Sequence, residues 1–424
     1  MSADNALISL NLSRDSINEV SLAEAEVAQV HANIERIELN NQARVLASFQ
    51  KEGVALRHFS PTNGYGYDDI GRDALDRVFA HALQSEDALV RPQITSGTHA
   101  IYLALSGLLT PGDIMLSVTG KPYDTLEEAI GISGTAPNSL SSQGVQYRQI
   151  DLNDKGEIDL DSVSKALCGL VRVIYIQRSR GYSWRNALAP DKVQPVAELA
   201  HHFSPQAVVV VDNCYGEFTC IDEPTVYGAD ILAGSLIKNP GGGLSPTGGY
   251  IAGKAELIDR IAQRMTVPGC GREVGSYIGG YGTFYQGLFL APHTVAQSLK
   301  TAVLFARLFE RRGMETLPGS SDMRSDIIQS LRFNTAEELI AFCRSIQSVS
   351  PVDSNAVPEP WNMPGYRHQV IMAAGAFVQG SSIELSADAP LVKPYTAYIQ
   401  GGLTYGHGKI AAMHVLDSMK AFAQ

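Results

Sequence analysis

Residues 208–218 of this chain read VVVVDNCYGEF. Four consecutive valines are typical of a strand that is covered on both faces, as in a parallel sheet flanked by helices. The strand ends at Asp212, and ligands of open α/β sheets bind beyond the carboxyl ends of the strands. A carboxylate buried there needs a cation or hydrogen-bond donors. Asp212 is therefore either part of a binding site or the cap of the turn that follows it.

Similar apolar runs alternate with helical patterns on both sides of this segment. We predict strands at 88–94, 114–118, 145–151, 171–177, 207–211, 231–237 and 250–252, and helices at 99–109, 160–167 and 192–203. This alternation is typical of a mostly parallel α/β sheet with helices on both faces.

The two ends of the chain have a different pattern. The spacing of apolar residues predicts a helix over residues 15–50, and the glycine- and tyrosine-rich stretch 60–73 is predicted as a loop. Beyond residue 290 we predict a helix at 294–312, strands at 369–377 and 382–385, and a closing helix at 410–422. We therefore expect three parts, namely a helical arm with its loop (1–75), a large α/β domain (76–295) and a smaller C-terminal α+β domain (296–424).

The composition excludes several classes of protein. Of the 424 residues, 45% are apolar and 18% are charged, which is typical of globular proteins. A formal net charge of −11 disfavours nucleic acids and anionic membranes as partners. Five widely spaced cysteines form no disulfide framework or metal-binding motif, and the first residues lack a signal-peptide pattern. We expect a soluble, cytoplasmic protein without a metal that acts on small molecules.

A second informative segment is GSLIKNPGGG, residues 234–243. Lys238 ends an apolar strand and is followed by Asn239, Pro240 and three glycines. A lysine in an apolar pocket can have a lowered pKa and act as a nucleophile. The alternative is a surface lysine at the start of a loop. Asp212 and Lys238 each follow a predicted strand, as expected for two strands of one sheet joined by a short connection.

A third segment, TSGTHA at residues 95–100, stands where a strand changes into a helix. Backbone N–H groups and the hydroxyls of Ser96 and Thr98 could surround an anion at such a helix N-terminus. The alternative is an ordinary helix cap. Together, an anion-binding loop, a carboxylate and a lysine at strand ends match the needs of pyridoxal 5'-phosphate (PLP), whose phosphate, ring nitrogen and aldehyde they would bind.

A nucleotide-binding P-loop is the competing motif. Gly248, Gly253 and Lys254 give the spacing G-x-x-x-x-G-K. Ala255 stands where the P-loop has the hydroxyl that binds Mg²⁺, and the same residues suit an ordinary helix start. The P-loop is therefore the weaker interpretation.

The order of these three segments resembles the fold type I PLP-dependent enzymes, whose fold is aspartate aminotransferase-like. More narrowly, the chain is similar to the cystathionine-lyase and methionine gamma-lyase-related family often called aluminium resistance proteins. This narrower resemblance rests on segments that span most of the chain: GYGYDDIGRD (64–73), IQRSRGYSWR (176–185), GGGLSPTGGYIAG (241–253), YQGLFLAPH (285–293) and QGSSIELSAD (379–388).

The resemblance implies roles for individual residues. Lys238 matches the lysine that binds PLP covalently, and Asp212 matches the partner of the pyridine nitrogen. The positions that match phosphate-binding residues are Ser96, Gly97, Thr98 and Ser235. Tyr123 resembles the aromatic residue that stacks on the pyridine ring, and a core or turn tyrosine is the alternative. Ile237 stands where the broader family often has threonine, so one phosphate contact is lost or replaced.

Two further groups of residues follow from the same resemblance. Related lyases send a tyrosine and an arginine into the neighbouring subunit's site, and the matching positions are Tyr65, Tyr67 and Arg72. This implies a homodimer or homotetramer with shared active sites. Related lyases also bind the substrate carboxylate with an arginine before the last helix, but residues 398–404 read YIQGGLT. Arg178 or Arg180 could bind the carboxylate instead, Arg367 is a weaker candidate, and a surface role is the alternative for each.

The function implied is a PLP-dependent carbon–sulfur lyase that acts on cystathionine, cysteine or methionine by β- or γ-elimination. One fold hosts many reactions, so two alternatives stay open. The first is another fold type I activity, such as an aminotransferase or a decarboxylase. The second is a catalytically idle PLP-binding stress protein.

Overall fold

A computed structural model of the chain describes Leu7 and residues 9–363 and 368–419. These residues divide into two compact units. One unit is built from residues up to Leu39, Tyr182–Asn186 and the chain from Pro292 onward. The other is built from Asn40–Gly181 and Ala187–Ala291. The first helices thus group with the C-terminal residues, and the three-part division stays a prediction.

The α/β unit contains a mixed, mostly parallel sheet, as predicted. Its strands are β1 (Asp87–Arg91), β2 (Ile114–Ser117), β3 (Gln146–Gln149), β4 (Val171–Gln177), β5 (Val208–Asp212), β6 (Ile231–Ser235) and β7 (Gly249–Gly253), arranged in the order β1-β7-β6-β5-β4-β2-β3. The pairs among β2 to β6 are parallel, whereas β7 is antiparallel to both β1 and β6. The central strands are buried on both faces, which explains their unbroken apolar runs.

Helices cover this sheet in the α/β unit. In the described part of the chain, the helices that lie wholly within this unit are α3 (Ile70–Ala82), α4 (Gly97–Leu108), α5 (Asp124–Ile130), α6 (Leu160–Ala166), α7 (Gln194–Phe203) and α8 (Ala255–Met265). The core beneath α4 and α8 combines their aliphatic residues with those of the strands. Ser96 caps α4, because its side chain accepts the N–H of His99 at 3.1 Å.

Two helices contribute residues to both units, namely α2 (Ala28–Lys51) and α9 (Gly282–Glu310). The single helix predicted over 15–50 is divided in the structure, because α1 (Arg14–Glu26) ends at Val27 before α2 begins. The N–H of Val27 bonds to the carbonyls of Ala25 and Glu24 in a tight turn. From Ala28 to Lys51 the chain is helical, as the spacing of its apolar residues predicted.

The C-terminal unit is built around an antiparallel sheet of β8 (Thr316–Leu317), β9 (Ile328–Arg332), β10 (Val370–Ala373), β11 (Ser386–Pro390) and β12 (Thr396–Gln400), in the order β10-β11-β12-β9-β8. Helices α10 (Ala336–Ser348) and α11 (Tyr405–Met419) also belong to this unit. The strand predicted at 382–385 was wrong, because β11 begins at Ser386. Strands β8, β9 and β12 and helix α10 were not predicted. Strands β9 and β12 lack a clear apolar pattern, because they bury polar residues such as Gln329, Ser330 and Gln400.

Among the described residues, no helix combines the length and apolar character needed to cross a membrane.

Candidate active site

Asp212 lies at the carboxyl end of β5, in the middle of the sheet. It pairs in register with Gln177 of β4 and Ala233 of β6. Its side chain is buried, at 2% exposed. The N–H of Cys214 donates to Oδ1 at 3.1 Å, and the Tyr175 hydroxyl donates to Oδ2 at 3.3 Å. Burial raises the pKa of Asp212, and Lys238 and these donors oppose that rise. A cationic N–H beside this carboxylate would favour its charged form.

Lys238 follows β6 at the same edge of the sheet, immediately before the short turn Asn239–Gly241. Its Nζ lies 3.7 Å from the centroid of the Tyr215 ring. Burial disfavours the charged amine, but nearby Cys214, Tyr215 and Asp212 outweigh it, so the pKa of Lys238 is raised. The expectation that the pKa of Lys238 is lowered is therefore wrong. The pocket is polar where the sequence pattern indicated an apolar one.

The loop before α4 packs against the end of β6. A Cβ atom built on Gly97 would lie 3.2 Å from Cys214 Sγ and 3.2 Å from Ser235 Cβ. A Cβ at this distance would press on both neighbours, so glycine suits the close approach of the backbone at the start of α4. Ser96, Gly97 and Ser235 thus meet where a helix N-terminus favours an anion.

Tyr123 stands beside the same loop, at the start of α5. Its hydroxyl donates to Thr98 Oγ1 at 2.9 Å, and its backbone N–H donates to Gln177 Oε1 at 2.9 Å. Burial, together with the charges of Asp212 and Cys214, raises the pKa of Tyr123, so the side chain stays a neutral phenol. The structure places its side chain among the predicted site residues. Stacking of its ring on a cofactor stays a prediction.

These residues fit PLP. The cradle formed where Ser96 and Gly97 approach Ser235 suits the phosphate, and the buried carboxyl group of Asp212, whose charged form needs a cationic partner, suits a protonated ring nitrogen. The amine of Lys238 supplies the group that can join an aldehyde covalently. All three features lie at the carboxyl ends of strands or beside them, as open α/β sheets place their ligands.

The two arginines predicted to bind substrate are both buried, at 0% exposed for Arg178 and 2% for Arg180. Arg178 donates from Nε to the carbonyl of Leu188 at 3.1 Å, and its Nη1 bonds to Asn213 Oδ1. A Cβ on Gly216 would lie within 2.4 Å of the Arg178 Nη1. These contacts support the backbone beneath the site. Binding of a substrate carboxylate by either arginine stays a prediction, and Arg367 lies outside the described residues.

The loop predicted to reach a neighbouring subunit is held from within its own chain. Arg72 is 1% exposed, and it donates to the carbonyl of Gly66 at 2.9 Å and pairs with Asp73 at 2.8 Å. The rings of Tyr65 and Tyr67 stack at 5.5 Å and are 72% and 64% exposed. Arg72 thus fixes a loop that displays two tyrosines. Their role in another subunit stays a prediction.

Three residues of the site were not identified from the sequence, although they lie in the segment quoted first. Cys214 contacts Asp212, Tyr215 lies under the Lys238 amine, and Glu217 is a fully buried carboxyl group beside Tyr250. Their position two, three and five residues after Asp212 was the available signal. The direction of each side chain depends on the loop conformation, which the sequence pattern does not reveal.

Comparison with known proteins agrees with this arrangement. The family model described as methionine gamma-lyase matches residues 16–420. An uncharacterized protein of Bacillus subtilis (strain 168), YnbB, is 50% identical over 397 residues, which is 93% of this chain and 94% of YnbB. The crystal structure of a carbon-sulfur lyase involved in aluminum resistance from Clostridium novyi NT is 46% identical with a TM-score of 0.94, over 98% of each chain.

A more distant structure bears on the fold alone. The pyridoxal-5'-phosphate dependent protein YhfS from Escherichia coli is 15% identical with a TM-score of 0.62, over 92% of this chain and 97% of YhfS. The predicted fold type I architecture is therefore confirmed.

Proposed function

The chain belongs to the methionine gamma-lyase family, and from that premise we propose that it is a PLP-dependent carbon–sulfur lyase. Its substrate would be a sulfur-containing amino acid of the cystathionine, cysteine or methionine type, cleaved by β- or γ-elimination. The observation that carries the proposal is the meeting of Asp212, Lys238 and the Gly97 cradle at one edge of the sheet.

PLP, when bound, supplies a ring that accepts electron density from the substrate α-carbon. Asp212 would hold a proton at the ring nitrogen, because its buried carboxylate is stabilised by an adjacent cation. Lys238 would act as the base that removes the α-proton once a substrate amine has displaced it. Ser96, Gly97 and Ser235 would hold the phosphate and thereby fix the position of the reacting atoms.

We also propose that the protein works in the cytoplasm as a homodimer or homotetramer with shared active sites. The stacked, exposed pair of Tyr65 and Tyr67 supports this proposal. Arg72 gives further support, because its bonds to the Gly66 carbonyl and to Asp73 hold that loop in one conformation.

The first test is chemical. The purified protein is incubated with PLP, reduced with borohydride and digested, and mass spectrometry locates the modified residue. We expect the cofactor on Lys238, and modification elsewhere or none would overturn the proposal. Lys238→Arg is the matched control, because it keeps the positive charge but cannot form the same linkage.

The second test identifies the reaction. The loaded enzyme is offered a panel of sulfur-containing amino acids, and thiol, ammonia and keto acid are measured. A lyase releases a thiol and ammonia together. An aminotransferase makes a keto acid only when a second keto acid accepts the amino group, a decarboxylase releases carbon dioxide, and an idle binding protein yields no product.

A further inference from the structure

Tyr215 has an unusual backbone conformation for its residue type. Its φ is +71°, in the left-handed region that residues other than glycine, asparagine and aspartate rarely adopt. The next residue is Gly216, yet the strained position is occupied by the tyrosine. Gly216 is required for another reason, since a Cβ there would collide with the guanidinium of Arg178. Strain kept at a non-glycine residue points to a use for its side chain.

The surrounding contacts show how this conformation is held. Asn213 donates to Glu223 at 3.0 Å, and the N–H of Phe218 donates to the same carboxylate at 2.9 Å. Tyr250 donates to Glu217 Oε1 at 2.8 Å. The loop is thus fixed on both sides of Tyr215 by buried groups.

The same contacts fix Lys238 relative to the loop. Asn239, which follows the lysine, donates from Nδ2 to the carbonyl of Glu217 at 3.0 Å. The loop of Tyr215 and the turn of Lys238 are therefore joined by a buried hydrogen bond. Between them, the Lys238 Nζ lies 3.7 Å from the centroid of the Tyr215 ring, within the range of a cation–π contact.

We propose that Tyr215 is a positioning residue that holds the unattached amine of Lys238 on its ring face. This inference rests on the proposed function, because it assigns the ring a role whenever Lys238 is not joined to the cofactor. The ring would orient the amine toward the aldehyde during loading. It would also keep the displaced amine in place during turnover.

The loading step provides a measurement that does not depend on turnover. The Lys238 amine attacks the PLP aldehyde carbon, a C=N bond replaces the C=O bond, and the oxygen leaves as water with the two amine hydrogens. Only the neutral amine attacks, so the loading rate rises with pH and reaches a plateau. The pH at the midpoint of this rise reports how strongly the surroundings of Lys238 favour the charged amine. Those surroundings include Asp212, Cys214, Tyr123 and Glu217, which stay the same in every variant.

The experiment compares Tyr215→Phe with Tyr215→Leu. Both keep a side chain at the strained φ, but only phenylalanine keeps the ring. For Tyr215→Leu we expect the midpoint to fall by about one pH unit, a tenfold loss of proton affinity equal to about 1.4 kcal/mol, within the range of a desolvated cation–π contact. We also expect the plateau rate to fall by about tenfold. Tyr215→Phe should keep the wild-type plateau, and its midpoint should fall by less than that of Tyr215→Leu, because it loses only the hydroxyl that also raises the pKa of Lys238.

Tyr215→Gly separates the role of the ring from folding. Glycine relieves the strain at φ +71°, so this variant should fold even if Tyr215→Leu does not, and it should show the lowered midpoint. Loading is followed by absorbance, and the adduct is then trapped with borohydride and located by mass spectrometry.

The outcomes separate the two proposals. A wild-type midpoint in Tyr215→Leu or Tyr215→Gly would overturn the role of Tyr215, as would equal losses in the phenylalanine and leucine variants. Failure of the wild-type protein to trap PLP on Lys238 would instead overturn the proposed function.

Discussion

The hydroxyl of Tyr175 donates to Asp212 Oδ2 across neighbouring strands, at 3.3 Å. Tyr175 and Asp212 are both buried, and β4 and β5 pair in parallel register. The carboxylate is therefore oriented by the sheet itself and by the N–H of Cys214, which donates to Oδ1. Because these hydrogen bonds fix the side chain, a substitution that keeps its shape should move the surrounding residues little. Asp212 is therefore the residue at which the proposed site is tested most directly.

Asp212→Asn should keep the fold and PLP binding but lower kcat by about 10²-fold or more, in the range of a lost proton-holding group. The amide has nearly the same shape, and what disappears is the charge that keeps the ring nitrogen protonated. Tyr175→Phe is the control, because it removes one hydrogen bond and leaves the carboxylate, so its loss should be much smaller. Steady-state kinetics and bound cofactor are measured together. Near-native kcat in Asp212→Asn would mean that Asp212 only caps a turn.

Gly97→Ala should weaken PLP binding by about tenfold or more, because the new methyl group would lie 3.2 Å from Cys214 Sγ and Ser235 Cβ, inside the cradle. The matched control is Gly107→Ala in the same helix, α4, where a Cβ would lie 3.0 Å from the Ile261 Cα. That variant should lose thermal stability without losing affinity for the cofactor. Titration of each protein with PLP measures the dissociation constant. Equal affinity in both variants would show that the phosphate binds elsewhere.

Tyr67→Ala should be complemented by Lys238→Ala when the two inactive proteins are mixed. If Tyr67 completes the neighbouring subunit's site, each hybrid dimer contains one intact site. Random exchange of equal amounts makes about half of the dimers hybrid, so about a quarter of the sites should recover activity. Arg72 is not the residue to change first, because its loss would release the loop within its own chain. Absence of recovery in subunits shown to exchange, or an active monomer, would overturn the shared site.

The sequence predicted the α/β sheet because its central strands are buried on both faces, which leaves unbroken apolar runs such as the four valines before Asp212. It also predicted which residues follow the strand ends, since parallel order brings those ends to one edge. It did not predict strands β9 and β12, whose buried polar residues hide the apolar pattern. The partners of Arg178 could not be predicted either. Leu188 and Asn213 are 10 and 35 residues away, and only the folded loop brings them together.

The protonation state of Glu217 could not be predicted from the sequence either, because it depends on groups that surround the side chain only in the folded protein. The side chain is fully buried, and its Oε1 accepts a hydrogen bond from Tyr250 at 2.8 Å. The Oε2 atom has no hydrogen-bond partner among the described residues. Burial raises the pKa of Glu217 from 4.5 to about 8, while the hydrogen bond from Tyr250 opposes that rise. A protonated acid can donate from the oxygen that otherwise lacks a partner, which removes the cost of burying a charge.

The consequence is a pH-dependent stability that Glu217→Gln should remove. Between pH 4.5 and about 8 the folded protein keeps a proton that the unfolded chain releases. The contribution of this group to the free energy of unfolding is therefore complete below pH 4.5, and it declines as the pH rises to about 8, by at most about 1.4 kcal/mol per pH unit. Glutamine keeps the acceptor for Tyr250 but cannot ionise, so the variant should lose less stability than the wild type between pH 5 and pH 8. Tyr250→Phe should extend the wild-type decline to higher pH, because it removes a donor that favours the charged carboxylate. Urea unfolding midpoints across this range measure both effects, and parallel curves for Glu217→Gln and the wild type would show that Glu217 is ionised in the folded protein.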